Sequence, residues 1–178
     1  SGCAAAAPSR SRASAPSRAT RGEMQCRTLD LTALVRAALD DLRRAEPGRE
    51  VTCTVEDGLQ AWGDPRLVHS VIENLVGNAW KYTGRTPDAR IEVGRGAWEG
   101  QTLYHVRDNG AGFDMDYAEK LFQPFQRMHR TDEFPGTGIG LATVRRIVRR
   151  HGGRIWAEAA PGWGATFYFS LPGPEEAK

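Results

Sequence analysis

The sequence predicts an α/β two-layer sandwich, with a mixed, mainly antiparallel sheet carrying its helices on one face. Three observations lead there. Apolar residues return at helical spacing in three long segments, and alternating segments fall into hairpins with glycine-containing turns. The order is helix, strands, helix, hairpin, short helix, loop, helix and hairpin, which departs from the strict alternation of a parallel doubly wound sheet.

The first helix lies in "LDLTALVRAALDDLRRAEPG", where Leu31, Leu34, Val35, Ala38, Leu39 and Leu42 share a face, Asp30 is placed to cap and Pro47-Gly48 to stop. "VTCTVE" alternates as a strand, and "LQAWG" reads as a short partner for it. "DP" then opens a second helix, with Leu67, Val68, Val71, Ile72, Leu75, Val76 and Ala79 on a broad apolar face. "ARIEVGRGAW" and "TLYHVRDN" form a hairpin whose second strand ends at Asp108. A short helix around "DYAEKLF" precedes "QPFQRMHRTDEFPGTG", an aperiodic polar stretch that reads as a long mobile loop. "GLATVRRIVRRHGG" is a helix closed by paired glycines, and "RIWAEAAPGWGATFYFSLP" a last hairpin.

At 178 residues the chain is about one domain, long enough to bury a core without disulfides or a structural metal. Cys3, Cys26 and Cys53 lack the spacing of a disulfide framework or a zinc site, which fits a reduced, cytoplasmic setting. No apolar run approaches the ~20 residues of a membrane span, so no membrane contact is expected of this segment. The net charge of +2 makes no case for nucleic acid. Arg10, Arg12, Arg18, Arg21 and Arg27 face only Glu23 in the head, whose Ala, Ser, Pro and Arg composition reads as a solvated tail. Arg145, Arg146, Arg149 and Arg150 read as the solvated face of the last helix.

Three short stretches carry the chemistry. In "DNGAGF", Asp108 sets a fixed carboxylate beside Gly110 and Gly112, residues that let a ligand approach the backbone without meeting a Cβ; the same letters also spell a plain turn. Asn74, Asn78 and Lys81 follow one another at intervals of four and three residues on the second helix, so they project from nearly one direction. Two amide oxygens and an ammonium suit a hard cation and phosphate, or else form a polar helix flank. "GTGIGL", from Gly136 through Gly138 and Gly140, opens a helix where backbone N–H groups receive anions. A dinucleotide fingerprint would have to follow a buried strand, and here "HRTDEFP" precedes it.

Taken together, these stretches resemble the ATP-binding catalytic domain of two-component sensor histidine kinases, in the GHKL superfamily that includes the B subunit of DNA gyrase, ATPase chaperones and mismatch-repair ATPases. "ENLVGNAWKY" looks like the N box, "DNGAGF" the G1 box, "LFQPFQRMH" the F box, "GTGIGLATV" the G2 box and "GWGATFYFSLP" the closing strand. The run from the F box onward looks particularly like kinases with PAS or phytochrome-type sensors.

The resemblance implies a Bergerat-type fold over residues 29–172, a disordered segment or the remnant of an upstream dimerisation helix over 1–28, a tail over 173–178, and ATP with magnesium as ligands. By that resemblance Asp108 accepts from the adenine amine, Gly110 and Gly112 lie against the base, Thr166 reaches the same edge through water, and Tyr82 packs on the purine. Asn78 ligates magnesium with Asn74 nearby, and Lys81 meets phosphate. Gly136, Gly138 and Gly140 shape a cover over the phosphates that Phe122 and Phe125 anchor. His129 reads as an exposed loop histidine.

In clamp-type ATPases of this superfamily a water-activating glutamate stands where Asn74 stands here, so the resemblance implies phosphotransfer. None of His69, His105, His129 and His151 is followed by the acidic residue and proline of a phosphoacceptor motif. The implied partners are therefore a phosphoacceptor helical hairpin, supplied in trans or by a longer protein, and a response regulator. The chain itself reads as a fragment or a truncated gene product. A nucleotide-gated interaction module and an anti-sigma-type serine kinase are the rival readings.

Overall fold

A computed structural model describes residues 22–130 and 133–172; the expectations for residues 1–21 and 173–178 lie outside the described residues. The elements run β1 (Arg27–Asp30), α1 (Leu31–Ala45), β2 (Thr52–Val55), β3 (Gln60–Gly63), α2 (Pro65–Tyr82), β4 (Arg90–Trp98) and β5 (Gln101–Asp108). A 3-10 helix (Met115–Lys120), α3 (Gly140–Arg150), β6 (Ile155–Ala160) and β7 (Gly164–Ser170) complete the chain.

Five strands form one sheet in the order β2-β4-β5-β7-β6, with β2 parallel to β4 and every other pair antiparallel. This is the mixed, mainly antiparallel sheet that the hairpins predict. β3 is the exception to the expected pairing: it lies antiparallel to β1, Leu29 opposite Ala61, in a separate two-stranded sheet. Its expected partner β2 is instead engaged along β4, with Thr52 opposite Arg90. The folded unit thus takes in Arg27 and Thr28, which a boundary at Leu29 omits.

Both early helix starts are capped as their sequences indicate. The Asp30 side chain accepts from the Ala33 N–H at 2.9 Å. Asp64, 2% exposed, accepts from Arg66 N–H at 3.0 Å and, through its other oxygen, from Gln25 N–H at 2.9 Å. Its carboxyl is held below the usual range, chiefly by the Gln25 N–H and against the effect of burial.

α2 is the central helix. It packs on α1, α3 and β5 and buries Val68, Val71, Ile72, Leu75, Val76, Ala79 and Trp80. The sheet answers with Ile91, Val93, Tyr104, Val106, Phe167 and Phe169. No helix of the described residues is long and apolar enough to cross a membrane.

His151 closes α3 and fastens it to the start of α2. Its Nδ1–H donates to the Ile147 carbonyl at 2.8 Å, and Nε2 accepts the Asp64 N–H at 3.1 Å, in a residue 7% exposed. Both ring nitrogens are used, which specifies the neutral tautomer. His151→Leu leaves a buried N–H unpaired and is expected to lower unfolding free energy by about 2–3 kcal/mol. Urea denaturation checks this, and a variant as stable as the parent would remove the tie.

Candidate functional site

A cavity of about 200 Å³ opens between α2, the turn after β5, the loop before α3 and the inner face of β7. It is lined by Asn74, Asn78, Lys81, Tyr82, Asp108, Gly112, Gly136, Gly138 and Gly140, so nine of the sequence-predicted positions converge there. Residues separated by as many as 66 positions meet because α2 and β5 pack face to face and α3 returns alongside α2.

The amides and the lysine lie on the half-buried flank of α2, beside its apolar stripe. The Asn74 Nδ2 donates to the Ser70 carbonyl at 2.7 Å, leaving its oxygen toward α3, where a Cβ on Gly140 would stand only 2.4 Å from it. Lys81 Nζ sits 4.6 Å from the centre of the Tyr82 ring and 2.9 Å from where a Gly136 Cβ would be. Desolvation, aided by the Arg127 charge, lowers the pKa of Lys81. A partly desolvated ammonium held beside a second cation is well suited to an anion. α3 begins at Gly140 with no side-chain cap on its first N–H groups, which leaves them for an anion at the cavity.

Asp108 lies at the other end and is 6% exposed. Its Oδ1 accepts from Gly110 N–H at 2.8 Å. Burial pushes its carboxyl up to about 6, although backbone N–H groups of Gly110 and Ala165 pull the other way. It is the one carboxylate among the described residues lining the cavity, whose apolar lining is Phe113, Leu121, Met128, Leu141, Ala165 and Phe167. One fixed acceptor in an apolar slot is suited to a flat ring with an exocyclic amine. Glu73, beside Asn74, is exposed on the outside of α2 and faces His69 at 3.3 Å.

Four expectations need correction. Thr166 does not line the cavity: on β7 Ala165 and Phe167 face inward, so Thr166, between them, points to the opposite face. It is packed there between Arg107 and Glu158 of the neighbouring strands. Gly110 is absent from the lining as well. A Cβ there would meet the Tyr82 carbonyl oxygen at 2.2 Å, and one on Gly112 the Ala160 oxygen at 2.0 Å. Both glycines therefore allow the protein's own backbone to close up, which local sequence cannot distinguish from the approach of a ligand.

The third correction concerns the loop. Phe122 packs against the core, 6.3 Å from Phe167, but Phe125 is 74% exposed, so its ring is no apolar anchor. Phe134, which sequence reasoning did not single out, is 7% exposed and packs edge-on to Tyr82 at 5.1 Å. Fourth, His129 is half-buried, with Nε2 2.8 Å from the Gly112 carbonyl. Ala165 and Arg127 also line the cavity; the alternation of β7 about Phe167 was the available signal for Ala165.

Fold and cavity define a class. Residues 63–175 match the family model described as "Histidine kinase-, DNA gyrase B-, and HSP90-like ATPase", and the chain belongs to that family of ATPases. Within it the chain is similar to sensor kinases. It is 41% identical over 138 residues to cyanobacterial phytochrome A of Nostoc sp., covering 76% of this chain and 18% of that protein. It is 45% identical over 111 residues to the methanogenesis regulatory histidine kinase FilI of Methanothrix harundinacea, covering 62% of this chain and 12% of that one.

Among solved structures, the catalytic domain of histidine kinase ThkA matches with a TM-score of 0.70 at 26% identity, over 86% of this chain and 99% of that one. The mycobacterial sensor histidine kinase MprB matches at 0.68 and 28% identity, over 83% and 97%. The chain thus covers nearly all of these two solved chains, and less than a fifth of the length of the two curated relatives named.

Proposed function

We propose that this domain holds Mg-ATP and presents its γ-phosphoryl group to a histidine on a phosphoacceptor helical hairpin outside this chain, with a response regulator as the eventual recipient, on the cytoplasmic side where ATP is available. The observation that carries the reading is a single cavity with a buried carboxylate at its apolar end and amides, an ammonium and an uncapped helix start at the other.

In this reading Asp108 accepts from the adenine amine and discriminates against guanine, whose corresponding group is an acceptor. Gly112, Phe113 and Phe167 bound the base, and Tyr82 stands at its edge. Asn78, a neutral hard-oxygen donor, holds the magnesium ion, which when bound neutralises phosphate charge. Asn74 orients beside it, and Lys81 meets phosphate oxygens. Gly136, Gly138 and Gly140 bring backbone N–H groups to the same oxygens. The contribution of these residues to the transfer is positioning and charge neutralisation. Position 74 carries an amide, and Asp108 lies at the base end, so no carboxylate among the described lining residues is placed to activate water for hydrolysis.

Calorimetric titration with a non-hydrolysable ATP analogue, with and without magnesium and with GTP as control, tests the pocket. Transfer of label to a supplied histidine hairpin as an acid-labile adduct tests the reaction. Asn78→Ala is expected to reduce affinity about 5- to 20-fold in magnesium and to leave magnesium-free binding within about twofold. An equal loss under both conditions would remove Asn78 as the metal ligand.

A further inference from the structure

We propose that His129 is a positioning residue that ties the cavity wall of residues 126–129 to the Asp108–Gly112 turn and thereby sets how long a nucleotide stays bound, an inference that rests on the nucleotide reading of the cavity.

The Gly112 carbonyl can only accept, so the His129 Nε2 at 2.8 Å carries the proton and donates it. The turn that receives this bond is itself firmly held. Gly162 N–H donates to the Ala111 carbonyl at 2.7 Å, Ala111 N–H to the Tyr82 carbonyl at 3.0 Å, and Gly112 leaves no room for a Cβ against Ala160. The loop that donates it is pinned separately, through Phe125 N–H on the Gly138 carbonyl at 3.0 Å. Arg127 and Met128, between these two attachments, are cavity walls.

The ring also serves as a partition. His129 stands 5.2 Å from Tyr82 and 5.1 Å from Phe134, closing a three-ring cluster. His129 and Tyr82 line both the cavity and a shallower cleft outside it, the latter formed with Arg85, Thr86, Asn109 and Phe134. These two side chains separate the two spaces. Breaking the bond to Gly112 would free the His129 ring from this partition and join the cavity to the outer cleft, giving a bound base a second way out.

Stopped-flow release of a trinitrophenyl-ATP probe from purified protein tests the tie through three substitutions. His129→Ala is expected to release the probe about tenfold faster, the equivalent of one ordinary hydrogen bond. His129→Gln, whose amide reaches the same carbonyl, should stay within about threefold of the parent, and His129→Phe, which keeps the ring but not the donor, should behave like His129→Ala. Parent-like release from His129→Ala, or from His129→Phe, overturns the tie. Asp108→Asn in the same assay separates the two ideas: if it too binds like the parent, the nucleotide reading fails, and if it alone is defective, only the tie does.

Discussion

Replacing Asp108 with asparagine is expected to weaken ATP and ADP binding alike by about 10- to 100-fold while leaving the empty domain at least as stable as before. The binding loss is that of one charge-assisted hydrogen bond, about 1.5–3 kcal/mol, and it spares neither ATP nor ADP because both carry adenine. The gain in stability follows from burial. The Asp108 carboxyl is pushed up to about 6 by desolvation, which outweighs the N–H groups of Gly110 and Ala165. The folded chain therefore holds this proton more tightly than the unfolded chain does. The corresponding stability is fully present below about pH 4 and is lost as pH rises through about 6, so the ionised group costs the fold about 3 kcal/mol at neutral pH.

Asparagine carries no charge and still offers an oxygen to Gly110. Asp108→Asn should thus denature at higher urea than the parent near neutrality and lose the parent's dependence between about pH 4 and 6. Nucleotide affinity responds in the opposite sense: an amine donor prefers the ionised carboxylate, so the parent's affinity should fall as pH drops below about 6, by at most about tenfold for each pH step of one. Urea denaturation and calorimetry across that range read the two effects. A variant that binds ATP normally, or a parent whose affinity does not change with pH, would remove Asp108 from the base site.

The second large effect is expected at Gly112. Its φ is 62°, and an added Cβ would stand 2.0 Å from the Ala160 oxygen and 2.8 Å from that of Gly164. A left-handed backbone costs an alanine about 1–2 kcal/mol, and displacing the β6–β7 turn adds about 1–3 kcal/mol. Gly112→Ala should therefore destabilise the domain by about 2–5 kcal/mol and separate the Asp108 side of the cavity from the turn that builds it. Gly77→Ala, inside α2 with nothing within 4 Å of its Cβ, is the control; it should be neutral or stabilising by up to about 1 kcal/mol. Equal urea midpoints for Gly112→Ala and the parent would mean that the turn yields, and that the glycine is not required by packing.

Part of the site is legible in the sequence because its logic is local. Helical spacing alone puts Asn74, Asn78 and Lys81 on one flank of α2, and alternation ends a strand at Asp108. Capping chemistry at Asp30 and Asp64 locates two helix starts. The remainder depends on what lies across a gap. β3 pairs with β1 because β2 is already engaged along β4, a competition between segments that no single strand records.

The same distinction runs through the glycines and the aromatic residues. Sequence indicates that backbone comes close at Gly110 and Gly112, but only the tertiary structure shows that Tyr82 and Ala160 are what come close. It indicates that the loop holds phenylalanines and a histidine, while packing decides that Phe134 and His129 turn inward and Phe125 outward. On β7 a shift of one residue changes faces, and so Ala165 rather than Thr166 reaches the cavity. By itself the sequence determined the fold class, three of the stretches that line the cavity and the chemistry of their side chains, because periodicity, capping and residue type act within a few positions. Which neighbour fills each close approach was decided by the tertiary structure, because burial and strand register are set by residues far away in the chain.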